Sequence, residues 1–236
     1  MKNFAELEKK IGVKFNNPDL LTEAMTHRSF LNERLGEGIA QNERLEFLGD
    51  AVLELSVTNF LFSKFPQKPE GELTSLRAAL VNSKMLFEVA SKLKLEKYLR
   101  VSRGEAKDFG LSGQGKGKHY ILANAVEAIV GAVYLDRGFE AADGFIIKQI
   151  CSNLPDILEN KLWRDAKSLF QERAQEIVGI TPTYEVIEES GPDHNRHFVI
   201  GVYLEKEMIA KGEGFSKQEA QMQAAEKALK EKGWDE

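Results

Sequence analysis

Glu43, Glu46 and Asp50 recur at three- and four-residue intervals in the run Asn42-Glu43-Arg44-Leu45-Glu46-Phe47-Leu48-Gly49-Asp50-Ala51-Val52-Leu53. At about 100° per residue, this spacing puts three carboxylates on one narrow arc of a helix, while Leu45, Leu48, Val52 and Leu55 gather on the other side. Solvated faces of amphipathic helices carry such patterns. Phe47 does not fit that reading, because a large ring beside the acidic arc points to a contact surface. A second segment sharpens the argument. Residues 121–135 are almost wholly apolar and rich in small side chains, and only Asn124 and Glu127 interrupt them, at i and i+3. An ionised carboxylate buried without a partner is strongly unfavourable, so Glu127 needs compensation. An arginine such as Arg44 would supply it through a salt bridge. A divalent cation would supply it too: Glu46, Asp50, Asn124 and Glu127 make a hard, all-oxygen set of the kind Mg²⁺ prefers, and that set would repel itself if empty. These residues alone leave both alternatives open.

The elements that must carry these groups are helices. From Leu20 to about Ile150 apolar residues recur at helical spacing, which predicts a bundle. Asn17-Pro18 reads as a helix start, and Pro66, Pro69 and Gly71 mark a turn before a helix holding Leu73, Leu76, Leu80 and Val81. Gly104, Gly110, Gly113, Gly115 and Gly117, among Lys107, Lys116 and Lys118, predict a flexible basic loop. Within it, Gly110 to Lys116 satisfies GxxxxGK, yet Gly117 stands where a phosphate-binding loop needs Ser or Thr, and no hydrophobic strand precedes it. No nucleotide cofactor is expected.

Pro155 and the charged residues after it break the pattern. The predicted organisation is an all-α helical domain over 1–153, a linker over 154–163 and a smaller α+β domain over 164–236. In that smaller domain a helix through Leu169, Phe170, Ala174 and Ile177 ends at Gly179. Three alternating segments follow, Thr183 to Ile187, His197 to Leu204 and Met208 to Gly212. A last helix from about Ser216 presents Ala220, Ala224, Ala225, Ala228 and Leu229 on one face, suited to packing on a sheet. The order is α-β-β-β-α. His194 and His197 have the spacing of a metal pair, but turn and strand geometry without a third ligand argues against one.

Composition bounds the rest. With 236 residues, 42% hydrophobic and 29% charged, the chain can build real cores, and its formal charge of −5 gives no bulk basicity to argue for nucleic acid. A single cysteine, Cys151, excludes an internal disulfide and a zinc set and fits a reducing, cytoplasmic setting. Met1 to Lys10 lacks the apolar stretch of a signal peptide, and residues 121–135 fall short of the roughly 20 that a membrane span needs.

The run 42–53 resembles the signature of the ribonuclease III family. Thr26-His27-Arg28-Ser29-Phe30, the block from Glu70-Gly71-Glu72-Leu73 to Leu80-Val81, and Leu122 to Asp136 resemble that family in the same order, and the tail resembles a double-stranded-RNA-binding domain. The likeness covers nearly the whole chain and is strongest to bacterial members with one nuclease and one binding domain. It implies a homodimeric, Mg²⁺-dependent endonuclease of double-stranded RNA, with Mn²⁺ as a possible substitute, leaving 5′-phosphate and 3′-hydroxyl ends in the processing and decay of ribosomal and messenger RNA.

Carried over, the likeness implies that Glu46, Asp50 and Glu127 are catalytic carboxylates of the metal site, with Asn124 standing where many members have Asp. Glu43 and Glu70 match additional acids lining the cleft, and Phe47 a dimer contact. Gln171, His194 and Lys217 match RNA-binding positions, with Lys211 nearby. Asn124 lowers the site's negative charge by one, which leaves a non-catalytic duplex-RNA-binding protein as the alternative; retention of the three acids favours the enzyme. Gln218 follows Lys217 where many such domains carry a second basic residue, and the segment 163–236 itself has a formal charge of −5, so binding should be weak and strongly salt-dependent.

Overall fold

A computed structural model describes residues 4–32, 40–111, 116–160, 163, 165–192 and 196–234, apart from the side chains of 32, 108–111 and 116. The chain divides into two compact units, Met1–Trp163 and Arg164–Glu236. The first is helical throughout the described residues: α1 (Ala5–Ile11), α2 (Pro18–Ala24), α3 (Arg28–Asn32), α4 (Glu43–Lys64), α5 (Glu70–Val81), α6 (Ser83–Leu93), α7 (Arg103–Leu111), α8 (Lys116–Arg137), α9 (Phe139–Gln149) and α10 (Leu154–Glu159). The start signal at Asn17-Pro18 works as the sequence suggests: the Asn17 side chain accepts from the Asp19 N–H, and Pro18 takes the first helical position.

The core of this unit forms around α8. Ala125, Val126, Ala128, Ile129, Val130, Ala132 and Val133 are all fully buried, so α8 is surrounded by its neighbours, chiefly α4 and α6. Two loops are anchored by side chains that satisfy backbone groups. Asp136 accepts from the N–H groups of Asn16 and Asn17, both at 2.8 Å. Asn42 is buried with its N–H on the Thr26 carbonyl and its amide near the Ala24 carbonyl, tying the entry of α4 to the loop before α3.

Two expectations change. Residues 103–111 form α7 instead of a loop, because Gly104 and Gly110 fall in its end turns while Glu105, Ala106 and Lys107 are good helix formers, and α8 begins at Lys116, ahead of the apolar run. Residues 112–115 lie outside the description. The stretch read as the start of a linker holds α10, with Leu154 and Ile157 buried in the helical core. Pro155 lies in its first turn, where a missing N–H costs no intrahelical bond.

The second unit runs α11 (Ala166–Val178), β1 (Thr183–Ser190), β2 (His197–Leu204), β3 (Glu207–Gly214) and α12 (Lys217–Lys232). The antiparallel sheet has order β1-β2-β3, with a bulge between Val186 and Glu188. Asp165 caps α11, and Gly179 ends it at φ +73°. As the alanine pattern predicts, Ala220, Ala224, Ala225, Ala228 and Leu229 are buried, and the approach is so close that a Cβ on Gly212 of β3 would lie 2.2 Å from the Ala224 nitrogen. Among the described residues no helix is long and apolar enough to cross a membrane.

Candidate active site

The site is built where α4 and α8 cross at backbone contact. A Cβ on Gly49 would stand 1.8 Å from the Glu127 carbonyl oxygen, and one on Gly131 would stand 2.2 Å from the Leu45 carbonyl oxygen. Only glycine at both positions lets the helix axes come this close. Glu46 and Asp50 lie on either side of Gly49, one turn apart, and Asn124 and Glu127 lie on the facing stretch of α8. The two polar faces meet: the Asn124 amide Nδ2 donates to Glu46 Oε1 at 2.9 Å, and Glu46 and Asp50 both act electrostatically on Glu127.

Electrostatics distinguish between the two compensations left open by the sequence. Burial, followed by the charges of Asp50 and Glu46, pushes the Glu127 carboxyl up to about 7. Burial also raises Glu46; the hydrogen bond from Asn124 opposes that shift, while Glu43 and Asp50 add to it. Arg44, the cation that a salt-bridge reading needed, is exposed and makes no ion pair among the described residues. Among the described residues Glu46, Asp50 and Glu127 have no ion pair to a lysine or arginine, and their donors with the Asn124 carbonyl are all hard oxygens, which fits a divalent cation of the Mg²⁺ class. No group of three or more acidic, histidine or cysteine side chains among the described residues is placed to hold a metal ion as it stands.

The other expected residues divide. Glu43 sits at the start of α4, exposed, accepting from Gln41 Nε2 at 2.8 Å with the Arg28 guanidinium 3.5 Å away, on the edge of the cavity that Glu46 and Asn124 line. Glu70 is not brought to this group. It stands in the first turn of α5, accepts from the Thr74 hydroxyl at 2.9 Å and lines a separate cavity of about 370 Å³ with Thr58, Phe62 and Arg77. Phe47 is 82% exposed and shares one face of α4 with exposed Leu55 and Phe62. In the second unit Gln171 is exposed on α11, Lys211 on β3 and Lys217 at the first position of α12, which Ser216 caps. The Lys217 ammonium lies 5.7 Å from the Phe198 ring centroid. His194 lies outside the described residues.

Sequence reasoning missed three features. The glycine pair at 49 and 131 sets the helix separation, and a small residue on each of two acidic helices was its only signal. Glu105, placed in a supposed loop, instead reaches His27 and Ser29. Lys167, in the first turn of α11, donates to Gln221 of α12 at 2.8 Å and so links the two helices of the second unit.

A family described as Ribonuclease-III-like matches residues 17–154, and the double-stranded RNA binding motif matches residues 166–232. A protein named Ribonuclease 3 from Carboxydothermus hydrogenoformans is 47% identical over 97% of this chain and 95% of its own length. Another of the same name from Nitratiruptor sp. is 44% identical over 98% of this chain and 97% of its own. Among solved structures, the nuclease domain of ribonuclease III from Campylobacter jejuni, described as structurally flexible in a region involved in dimer formation, aligns with a TM-score of 0.57. It is 42% identical and covers 65% of this chain and 99% of its own.

Proposed function

The chain belongs to the ribonuclease III family and is an endoribonuclease of that type, and on this premise we propose that it cuts double-stranded RNA as a Mg²⁺-dependent homodimer, leaving 5′-phosphate and 3′-hydroxyl ends. The carrying observation is the Gly49–Gly131 crossing, which sets Glu46 and Asp50 against Asn124 and Glu127 with no cation paired to them among the described residues. Glu46, Asp50 and Glu127 would hold the ion through carboxylate oxygens and Asn124 through its carbonyl. When bound, Mg²⁺ supplies acidified water as nucleophile and neutralises charge on the leaving 3′ oxygen. The protein contributes position and exclusion of competing charge: Asn124 orients the Glu46 carboxylate, and buried α8 fixes Glu127 against it. No protein nucleophile is required.

Asn124 is compatible with this work. An aspartate there would place a fourth negative charge beside Glu46, whereas the amide donates a hydrogen bond to it and keeps an oxygen for the cation. Exposed Phe47, Leu55 and Phe62 on α4 support a second copy as partner, with Phe47 as the anchor. Gln171, Lys211 and Lys217 would contact ribose and phosphates of the A-form duplex, and His194, outside the described residues, would add to that contact. Incubating the purified protein with a long duplex RNA in Mg²⁺ and in EDTA tests the reading. Cleavage confined to Mg²⁺ is expected; RNA that is bound but uncut in Mg²⁺ would overturn it.

A further inference from the structure

A cleft of about 330 Å³ lies between the end of α1 and α9, and a second of about 500 Å³ adjoins it, the two sharing Gly12, Val13 and Lys14. Both volumes are in the range of small-molecule sites, about 300–1,000 Å³. Residues 12–17, which shape the cleft, are clamped at four points. Glu8 accepts the Phe15 N–H and Asp136 accepts those of Asn16 and Asn17, each at 2.8 Å, and Arg137 Nη1 donates to the Lys14 carbonyl at 2.9 Å. The shape of the cleft is therefore set in advance, which spares a ligand the cost of ordering it.

The charges that border this space are unbalanced. Lys9, Lys14, Arg137 and Lys148 line it, and among the described residues none of them is ion-paired, whereas neighbouring Lys10 pairs with Glu6 at 3.5 Å. The nearby acids are engaged elsewhere. Glu8 and Asp136 are turned onto backbone N–H groups, and the Glu140 carboxylate lies 3.7 Å from where a Cβ on Gly138 would stand, at the N-terminus of its own helix, where the dipole favours it. The Lys148 ammonium is instead folded back over the end of α1, 3.8 Å from the Cβ position of Gly12, without a hydrogen-bond acceptor among the described residues. Arg137 commits one N–H to Lys14 and keeps the rest of its fork. A fixed guanidinium beside separate ammonium groups offers forked and point-charge contacts together, which suits the several oxygens of a phosphate. From this geometry we propose that the cleft between α1 and α9 is an anion site for a phosphate-bearing ligand with more than one negative charge, held by Lys14, Arg137 and Lys148 with Lys9 at its outer end. Four cations against two acids lining the same space call for that charge. Arg137 follows Glu127 by ten residues on α8, about 15 Å along the helix axis, so the site is separate from the carboxylates of α4 and α8. Free pyrophosphate groups and successive phosphates of an RNA strand both offer this chemistry.

Inorganic pyrophosphate titrated calorimetrically into the full chain, at low salt and in EDTA so that metal complexes do not interfere, tests the site. Saturable binding is expected, weakened about tenfold when Lys14→Glu and Lys148→Glu are combined. Gly144→Glu is the second variant. Gly144 lines the cleft and a Cβ there would meet nothing within 4 Å, so the added carboxylate fills the cleft without disturbing the fold, and pyrophosphate binding should weaken as much. Should melting show that the double variant does not fold, Gly144→Glu decides. No saturable binding, or binding that a folded variant leaves intact, overturns the proposal. The same variants with long duplex RNA in EDTA separate the two sources. A weaker duplex affinity with a shallower salt dependence makes an RNA strand the occupant, and an unchanged duplex affinity beside lost pyrophosphate binding makes it a free phosphate compound. Because no cleavage is measured, failure of the metal-site reading would leave each of these outcomes as it stands.

Discussion

Glu127 is held in a setting that disfavours its charge, and the sign of that effect can be measured. Its carboxyl is raised from 4.5 to about 7, chiefly by burial and then by Asp50 and Glu46. The folded state therefore holds this proton more tightly than the unfolded chain does. The associated stability is present in full below about pH 4.5 and is lost as pH rises to about 7. Glu127→Gln should accordingly be more stable than the parent at pH 8, on the order of 1–2 kcal/mol after allowance for solvent screening, with the difference vanishing below pH 4.5. Thermal melts across pH check this, and the same variant should bind duplex RNA while failing to cut it. Added Mg²⁺ should raise the melting temperature of the parent more than that of Glu127→Gln. At this scale much of the site was legible, because a lone Glu at i+3 from Asn in an apolar helix demands an explanation wherever the helix lies. Glu105 was not, since its value depends on Ser29 and His27, far away in sequence and joined to it only by the folding of α7.

The helices turn those residues into a site through their separation. Because an added Cβ at Gly49 would meet a carbonyl oxygen of α8, the substitution cannot be absorbed by a flexible side chain; the helices themselves must part. Gly49→Ala should cost about 3 kcal/mol in stability, at the upper end of ordinary overpacking. It should also depress cleavage further than the lost folded fraction explains, because Glu46 and Asp50 move relative to Glu127. Comparing kcat with the melting temperature for this variant separates the two effects, and a fall in activity that only tracks unfolding would refute the spacing role. On the outer face of the same helix, Phe47 at 82% exposure should bury against a second copy. Losing about 2 kcal/mol of apolar burial at each of two symmetric sites amounts to roughly a thousandfold weaker dimer for Phe47→Glu, read by sedimentation as monomers. Helix periodicity located the buried side of α4 through Leu45 and Val52, but it also grouped Leu55 there, whereas Leu55 is exposed beside Phe47. The crossing point stayed hidden because glycine inside a helix has several uses, and only the facing carbonyls show that close approach is the one in force here.

At the scale of the molecule, two compact units divide cutting from holding, and their charges are unequal. Residues 163–236 carry the whole net formal charge of −5, an odd allocation for the part that matches an RNA-binding motif. Pairing reduces the conflict. Glu189 is bonded to Arg196, Glu213 lies 3.7 Å from His197, Glu207 lies 3.6 Å from Lys232 and Glu176 lies 3.1 Å from Arg173, whereas Lys217 stands at the positive end of the α12 dipole. The attractive potential is thus local and small, and few phosphates are neutralised. The full chain should consequently show a shallower dependence of duplex affinity on salt than the sequence alone suggests, and Lys217→Ala should lower the logarithmic slope by about one while weakening binding to all duplex sequences alike. Removing 164–236 carries the division to its limit. With the carboxylates and the crossing of α4 and α8 contained in 1–163, the truncated chain should retain kcat near that of the parent on duplex RNA at low salt, while KM rises at least tenfold. A large drop in kcat with KM unchanged would mean that the second unit takes part in the chemical step, contrary to the division of labour drawn from the two cores.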